Sequence, residues 1–569
     1  MQKRIKFILV VFNLLTATLI GRLYYWQVVK SEELTSQARA QHLFGQNIKA
    51  MRGNILASDG SWLAVSSDSW LMFAQPKELE RSVREVANIV ASLISETSEQ
   101  NDVYNEAVRI EGMLSREDAD WVPIKRDLNS DTKKNIEALR LSGIGFEFNE
   151  DRAYPEGSSS AQILGFVGKD EEGNNQGYFG LEGYYDLFLS GKPGFLERER
   201  SAAGVPFLGG RNNEVTAQRG VDLQTHIDKT LQFIVEKELK RGIEKYGAVA
   251  GVVIVMDPSD GGIMAMASYP SYDPSEYYKY GDEFFKNPAI SDTFEPGSVF
   301  KPVVMAAALD AKAVDPDTEC DICDGPYKID KYEIKTWNNK YNPNSTMTEV
   351  IMNSDNVGMV FVGNKLGSEK LYDYFKRFGF GEITGIDLQG EVSSVLREKD
   401  KWSQVDLATA TFGQGIAVTP IQMLKAIAII ARGGVEIAPQ VVDKIIIDGW
   451  EDDIEPLEGE RVISEKAASQ ITEMMINAAL LGEAKWAIPK GFVIAGKTGT
   501  AQIPVSGHYD EDKTIGSFVG FAPARKPKFV MLVMLREPSS SPWASETAAP
   551  LWFDIAREFF PYLGVQPDN

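Results

Sequence analysis

Ser298 and Lys301 stand three residues apart, just after Pro296-Gly297 and just before the apolar run Pro302-Val303-Val304-Met305-Ala306-Ala307-Ala308-Leu309. Pro-Gly interrupts the preceding segment, so a helix is expected to begin at about Ser298. Residues i and i+3 share a helix face, which brings the lysine amine within reach of the serine hydroxyl. A serine becomes a useful nucleophile only beside a base. Lysine serves as that base when burial or a second cation has removed its proton. Two further groups follow in order, Ser354-Asp355-Asn356 and Lys497-Thr498-Gly499. Lys497 is the second cation, Ser354 is a hydroxyl able to relay a proton, and Asn356 is an amide able to hold Lys301 and a peptide. Together these residue types support acyl transfer through a serine ester.

Spacing alone proves little, because Ser130-Asp131-Thr132-Lys133 repeats it. That copy lies in a polar, charged stretch with no apolar helix behind it, and is expected to be a helix start on the surface. A histidine-based triad using His226 or His508 is the weaker competitor, since Lys301 already fills the base role. His226 is expected to be structural.

The elements that must position these residues are legible by pattern. Val252–Met256 and Ile263–Ala267 flank the turn Asp257-Pro258-Ser259-Asp260-Gly261-Gly262 and read as a strand hairpin. Phe492–Ala495 reads as a strand leading into Lys497. Ser517–Phe521 and Phe529–Leu535 read as two more strands, and Pro550–Phe559 as a closing amphipathic helix. An antiparallel sheet flanked by helices is expected, with a helical subdomain between Ser298 and Lys497. Upstream, Val221–Ile227 alternates like a strand, and Asp228 is placed to cap a helix running to about Arg241. Asp59-Gly60 signals a hairpin turn, and Val83, Val86, Ile89, Val90, Leu93 and Ile94 recur at helical spacing. Arg152 to Gly194 is rich in Gly, Tyr and acidic residues and reads as loops of an α+β module.

At the start, Lys3, Arg4 and Lys6 precede an apolar stretch. Phe7 to Val29 as a helix is about 35 Å long, enough to cross a bilayer. Arg22 sits near the far end, where it can snorkel, and Tyr24, Tyr25 and Trp26 suit the interface. The basic start places the N-terminus in the cytoplasm and the rest outside. A cleaved signal peptide competes, but no A-x-A site is evident and the aromatic belt favours a retained single-pass anchor.

The chain has 569 residues, a 43% apolar fraction and a formal net charge of −22. The length allows two to four domains. The acidic balance argues against a nucleic-acid-binding surface. Three histidines (His42, His226, His508) and two cysteines form no dense cluster of zinc-site type. Cys320-Asp321-Ile322-Cys323 is open to three readings: a local disulfide, two free thiols or half a metal site. Export favours the disulfide. No internal repeat or long low-complexity segment is visible.

Ser-x-x-Lys, Ser-Asp-Asn and Lys-Thr-Gly in this order are a signature of penicillin-binding proteins and class A β-lactamases. The wider set resembles the class B penicillin-binding proteins over nearly the whole chain. Its marks are Arg52-Gly53, Asp59-Gly60, Arg152 and Glu182, then Glu295-Pro296-Gly297-Ser298, Ser354-Asp355-Asn356, Phe412-Gly413-Gln414-Gly415, Thr419-Pro420 and Lys497-Thr498-Gly499-Thr500. Where this chain has Ser58 the family usually has Arg. The resemblance implies an α+β chain in four parts. These are a cytoplasmic tip and transmembrane anchor (1–30), an elongated non-catalytic pedestal of dimerisation type (31–220), a linker strand and helix (221–247), and a transpeptidase domain like that of the serine β-lactamases (248–569).

It also implies a peptidoglycan D,D-transpeptidase with Ser298, Lys301, Ser354, Asn356 and Lys497 as catalytic residues. Thr498, Gly499 and Thr500 would bind substrate, the backbone N–H groups of Ser298 and Thr500 forming the oxyanion hole. The donor would be a stem peptide ending in D-Ala-D-Ala, with β-lactams as inhibitors and no metal or organic cofactor. Expected partners are a multispanning membrane glycan polymerase and division-complex proteins at the inner membrane, with the catalytic domain periplasmic. The absence of a long insertion in the pedestal leans towards septal rather than side-wall synthesis, with a sporulation-type role open. A β-lactamase or β-lactam sensor on the same core, and a non-catalytic scaffold, are the competing functions.

Overall fold

The computed structural model describes residues 2–35, 43–95, 99–116, 119–199, 212–505 and 508–567. It divides into two compact units, one of residues 1–52 and 190–220 and the other of 53–189 and 221–569.

The first unit holds the apolar N-terminal helix, Gln2–Tyr24, which continues through a wider turn at Tyr25–Val29. It is long and apolar enough to cross a membrane, and its side chains are exposed throughout. Asn13, Thr16 and Thr18 each donate a side-chain hydrogen bond to the carbonyl four residues earlier, at 2.7, 2.9 and 2.8 Å. Their polar groups are thereby satisfied inside the helix, as hydrocarbon surroundings require. The same unit contains a three-stranded antiparallel sheet of Leu43–Ile48, Gly194–Glu199 and Asn212–Val215, in that order.

The second unit is built on a five-stranded antiparallel sheet. Its strands are β1 (Ala250–Met256), β2 (Ile263–Tyr269), β3 (Ala495–Val505), β4 (His508–Ala522) and β5 (Phe529–Arg536). The order is β2-β1-β5-β4-β3, which leaves β3 at one edge. Alternation sorts the side chains to two faces. Val253, Val255, Phe529, Met531 and Val533 pack on helices α1 (Lys229–Tyr246) and α5 (Ala548–Tyr562). Val252, Ile254, Val530 and Leu532 join the larger core, which includes α2 (Lys301–Asp310), α3 (Asn356–Leu366) and α4 (Glu465–Leu481).

Asp228 caps α1 as expected, accepting from Thr230 N and Leu231 N, but the helix runs on to Tyr246. It stops where Gly247 takes a left-handed φ of 62°, not at Arg241. A second departure concerns Lys497-Thr498-Gly499, which lies inside β3 rather than after a strand at Phe492–Ala495. Third, the subdomain between Ser298 and Lys497 is not purely helical. Strands Val442–Ile447 and Trp450–Asp453 leave it to join a seven-stranded sheet with Asp222–Thr225, Ile55–Leu56, Trp62–Ala74, Val122–Leu128 and Ile144–Ala153. The Asp59-Gly60 turn joins Ile55–Leu56 to Trp62–Ala74 as expected, with Gly60 at φ 80°. The helix Val83–Ile94 buries Val86, Val90 and Ile94.

Arg152 and Glu182 form a buried ion pair, Nε to Oε1 at 2.6 Å, and Arg152 Nη1 donates to Gly53 O at 2.7 Å and Ser66 Oγ at 3.0 Å. These family marks are therefore one structural knot. Ser58 meets the chain through its backbone, N–H to Ile227 O at 2.9 Å. His226 sits beside Gln440, Nε2 to Nε2 at 3.1 Å, in a packing role. Cys320 and Cys323 are joined in a disulfide. His42 and the side chain of His508 lie outside the described residues.

Candidate active site

Ser298 lies on a tight helical turn, Gly297–Phe300, that feeds directly into α2 at Lys301. In such a 3₁₀ turn residues i and i+3 eclipse, which sharpens the shared face expected from the spacing. The turn is held from two sides. Gly297 N donates to Gly413 O at 2.9 Å, and Gly415 N donates to Glu295 Oε1 at 3.2 Å. Gly413 has φ 77°, and a Cβ there would stand 2.2 Å from Gly297 O. The Phe412-Gly413-Gln414-Gly415 segment is thus a brace for the Ser298 turn, and only glycine fits. On the other side runs β3. A Cβ on Gly499 would come within 2.9 Å of Val299 N, so glycine is what allows the strand to pass this close.

Thr419-Pro420 opens the buried helix Pro420–Ala431 with a reciprocal cap between Thr419 and Gln422. Val418, just before it, bonds Phe294 in both directions at 2.9 Å.

Lys301 is wholly buried and Lys497 is 3% exposed. Lys301 Nζ donates to Ser354 O at 2.6 Å and Asn356 Oδ1 at 2.7 Å, and lies 3.2 Å from Ser354 Oγ. Lys497 Nζ lies 3.0 Å from the same Ser354 Oγ and donates to Thr498 O at 3.1 Å. Ser354 therefore bridges the two amines. It does so from a left-handed backbone, φ 56°, which is strained for a residue with a side chain. That turn aims both its carbonyl and its hydroxyl at Lys301. Asp355 faces the other way and caps α3, accepting from Val357 N and Gly358 N at 2.8 and 3.1 Å. Asn356 is oriented by donating Nδ2 to Lys335 O at 3.0 Å.

Burial, and then the neighbouring Lys497, push the Lys301 amine well below its ordinary range. Burial pulls Lys497 down to about 8. A neutral Lys301 has two N–H groups and one lone pair. Its two short donations, to Ser354 O and Asn356 Oδ1, account for both N–H groups. The lone pair is left for a hydroxyl, either Ser354 or Ser298. Lys497 retains enough charge near neutrality to hold an anion.

Ser298, Ser354, Asn356, Thr498 and Thr500 line one cleft with Gly297, Phe412 and Gln414. Lys301 and Lys497 are buried behind this lining, each in contact with Ser354. Gly499 is the backing contact to Val299. The Thr500 side chain is turned away, its Oγ1 accepting from Ala544 N at 3.0 Å. All eight candidate residues are thus brought together.

Two family models match this chain. Residues 251–559 fit the penicillin binding protein transpeptidase domain, and residues 47–225 fit the penicillin-binding protein dimerisation domain. The chain belongs to the class B penicillin-binding proteins. It is a serine-type peptidoglycan D,D-transpeptidase. Stage V sporulation protein D of Bacillus subtilis (strain 168) is 33% identical over 100% of this chain and 86% of its own length. Peptidoglycan D,D-transpeptidase FtsI of Escherichia coli (strain K12) is 30% identical over 97% of this chain and 90% of its own. Among solved structures, a peptidoglycan synthetase from Bifidobacterium adolescentis is 25% identical and superimposes with a TM-score of 0.74, covering 93% of this chain and 98% of that one.

In this penicillin-binding protein the cleft has three further lining residues that motif reading passed over, Trp337, Trp543 and Glu483. The two tryptophans meet edge-on, ring centroids 5.4 Å apart, and remain 44% and 40% exposed. Each is a lone large aromatic in a polar loop, Trp337 before Asn338-Asn339-Lys340 and Trp543 after a serine run. That isolation was the available signal.

Proposed function

We propose that the enzyme is a membrane-anchored transpeptidase of septal wall synthesis, acting through Ser298. Ser298 Oγ attacks the carbonyl of the penultimate D-Ala of a stem peptide, and its proton passes to Lys301. The tetrahedral oxyanion sits between the backbone N–H groups of Ser298 and Thr500. Such a donor is worth about 100- to 1,000-fold in rate. As the C–N bond breaks, a proton reaches the departing D-Ala amine by way of Ser354. The ester is then attacked by an amine of a neighbouring stem, which restores Ser298 and closes the cross-link. Lys497 and Thr498 hold the substrate carboxylate along the free edge of β3, the mode by which peptides add to sheet edges. Asn356 holds Lys301 and the substrate amide.

The observation that carries this reading is the shared hydroxyl of Ser354, 3.2 and 3.0 Å from two buried lysine amines. It links a base for acylation to an acid for departure of the amine.

Residues 1–30 serve as cytoplasmic tip and single-pass anchor, 31–220 as pedestal, 221–247 as linker and 248–569 as the catalytic domain outside the membrane. A multispanning glycan polymerase and division proteins are its partners. The sporulation protein among the relatives favours a second reading, wall synthesis in a developing spore.

The test of the chemistry is a fluorescent penicillin on the full-length protein. Stable labelling that Ser298→Ala abolishes is the expected result. No label on folded wild type contradicts it, and rapid release of the label points to a β-lactamase. Depletion in the native cell separates the roles. Filaments are expected for septal synthesis, rounded cells mark the side-wall role, and failure confined to spores marks the second reading.

A further inference from the structure

Glu483 follows α4 by two residues, after Gly482, and turns into the catalytic cleft beside Ser298, Ser354 and Thr498. It is half-buried, and it makes no hydrogen bond or salt bridge among the described residues. A carboxylate left without a direct partner in a cleft is unusual unless nearby charge stabilises it. The charge is there. Lys301 on α2 and Lys497 on β3 both touch Ser354, which lines the same cleft as Glu483, and Glu483 acts on both through space. Lys301 also feels Lys497, which opposes its charge, and Asp355, at the start of α3, whose carboxylate is taken up by capping. Lys485, on the same turn as Glu483, is exposed.

We propose that Glu483 is the counter-charge of the catalytic lysine pair, a positioning residue that acts through Lys497 and Lys301 and not on the substrate. The proposal rests on the acyl-enzyme reading above. Its logic is that the two lysines need opposite protonation states. Lys301 must be neutral to accept the Ser298 proton, and Lys497 must stay charged to hold a carboxylate and to supply the leaving group's proton through Ser354. Burial pushes both towards neutrality. A nearby carboxylate offsets that for both, and Lys497 lacks the additional help that Asp355 gives Lys301. Glu483 thereby keeps the working pH window of the pair near neutrality.

The sign of the effect follows. Removing the carboxylate lowers both amines. The acid limb of the acylation profile, set by Lys301 losing its proton, moves to lower pH. The alkaline limb, set by Lys497 losing its charge, moves the same way. The test is the rate of acylation of full-length protein by fluorescent penicillin from pH 5 to 10, for wild type, Glu483→Gln and Glu483→Asp. Glu483→Gln is expected to shift both limbs acidward, the alkaline limb set by Lys497 by about one unit. At pH 8 that lowers the charged fraction of Lys497 from about a half to about a tenth, a loss of roughly fivefold. Glu483→Asp keeps the charge and is expected to keep the wild-type limbs. Superimposable limbs for Gln and wild type overturn the proposal. So does a loss seen only in turnover with an amine acceptor, which would assign Glu483 to the substrate. Should Glu483→Gln not fold, Glu483→Ala carries the same expectation. If wild type itself is not acylated, the acyl-enzyme reading has failed, and not this inference alone.

Discussion

Ser298-to-Lys301 and Ser130-to-Lys133 have the same spacing and the same position at the start of a helix, yet they are chemically opposite. Lys301 is fully buried against Ser354, Asn356 and, through Ser354, a second lysine. Lys133 is half-buried, 3.2 Å from Glu137 Oε1, with its ammonium 3.6 Å from the centre of the Trp70 ring. The first contact is an ion pair and the second a cation–π contact. Ser130 is likewise occupied, accepting from Trp70 Nε1 at 3.3 Å, and Asn129 supplies the cap of the Ser130–Ala138 helix. The pair at 298 and 301 is set up for a neutral base, and the pair at 130 and 133 is taken up by local contacts. The spacing supplies only reach. What sits around the amine decides whether it is a base.

The comparison breaks most sharply at the serines. Ser298→Ala is expected to abolish covalent penicillin labelling, while Ser130→Ala leaves the rate unchanged; time-resolved gel fluorescence reads both. Next come the lysines. Arginine stays protonated in proteins, so Lys301→Arg is expected to lower acylation by about 10²- to 10⁴-fold. Lys133→Arg is expected to leave it at the wild-type value.

A third test uses pH. The acylation rate of wild type is expected to rise as Lys301 loses its proton below its ordinary range, and to fall above about pH 8 as Lys497 loses its charge. A rate still climbing at pH 10 would put the base elsewhere. The smallest effect is at the upstream pair. Lys133→Gln removes a cation from the Trp70 face and is expected to cost about 0.5–1 kcal/mol in a denaturant melt, with acylation untouched.

Much of this contrast was legible in the sequence. The apolar run behind Lys301 announced a buried helix, and the charged stretch around Lys133 announced a surface one. The strands β1, β2, β4 and β5 were visible because their faces alternate between two cores. Lys497-Thr498-Gly499 was harder to place. All four residues from Lys497 through Thr500 are small or polar and carry no alternating apolar signal, so the strand pattern ends before them. Val442–Ile447 pairs with Asp222–Thr225 some 220 residues earlier, and pairing over such a distance leaves no local pattern. Its hairpin with Trp450–Asp453 across Asp448-Gly449 is local, and that turn signal was present in the sequence.

The Ser-Asp-Asn group shows how two readings merge. Asp355 is the helix cap that its residue type suggests, and by capping it fixes Ser354 and Asn356 on the lysines. Glu483 left no motif at all. It matters only because the fold returns the end of α4 to the Ser298 turn.

The central claim is that burial beside a second lysine, and not the Ser-x-x-Lys spacing, makes the nucleophile. Peptide mapping by mass spectrometry of full-length protein treated with a β-lactam tests it most directly. One adduct, on the peptide containing Ser298, with the Ser130 peptide unmodified, is the expected result. An adduct on any other residue, or none on folded protein, would contradict the account.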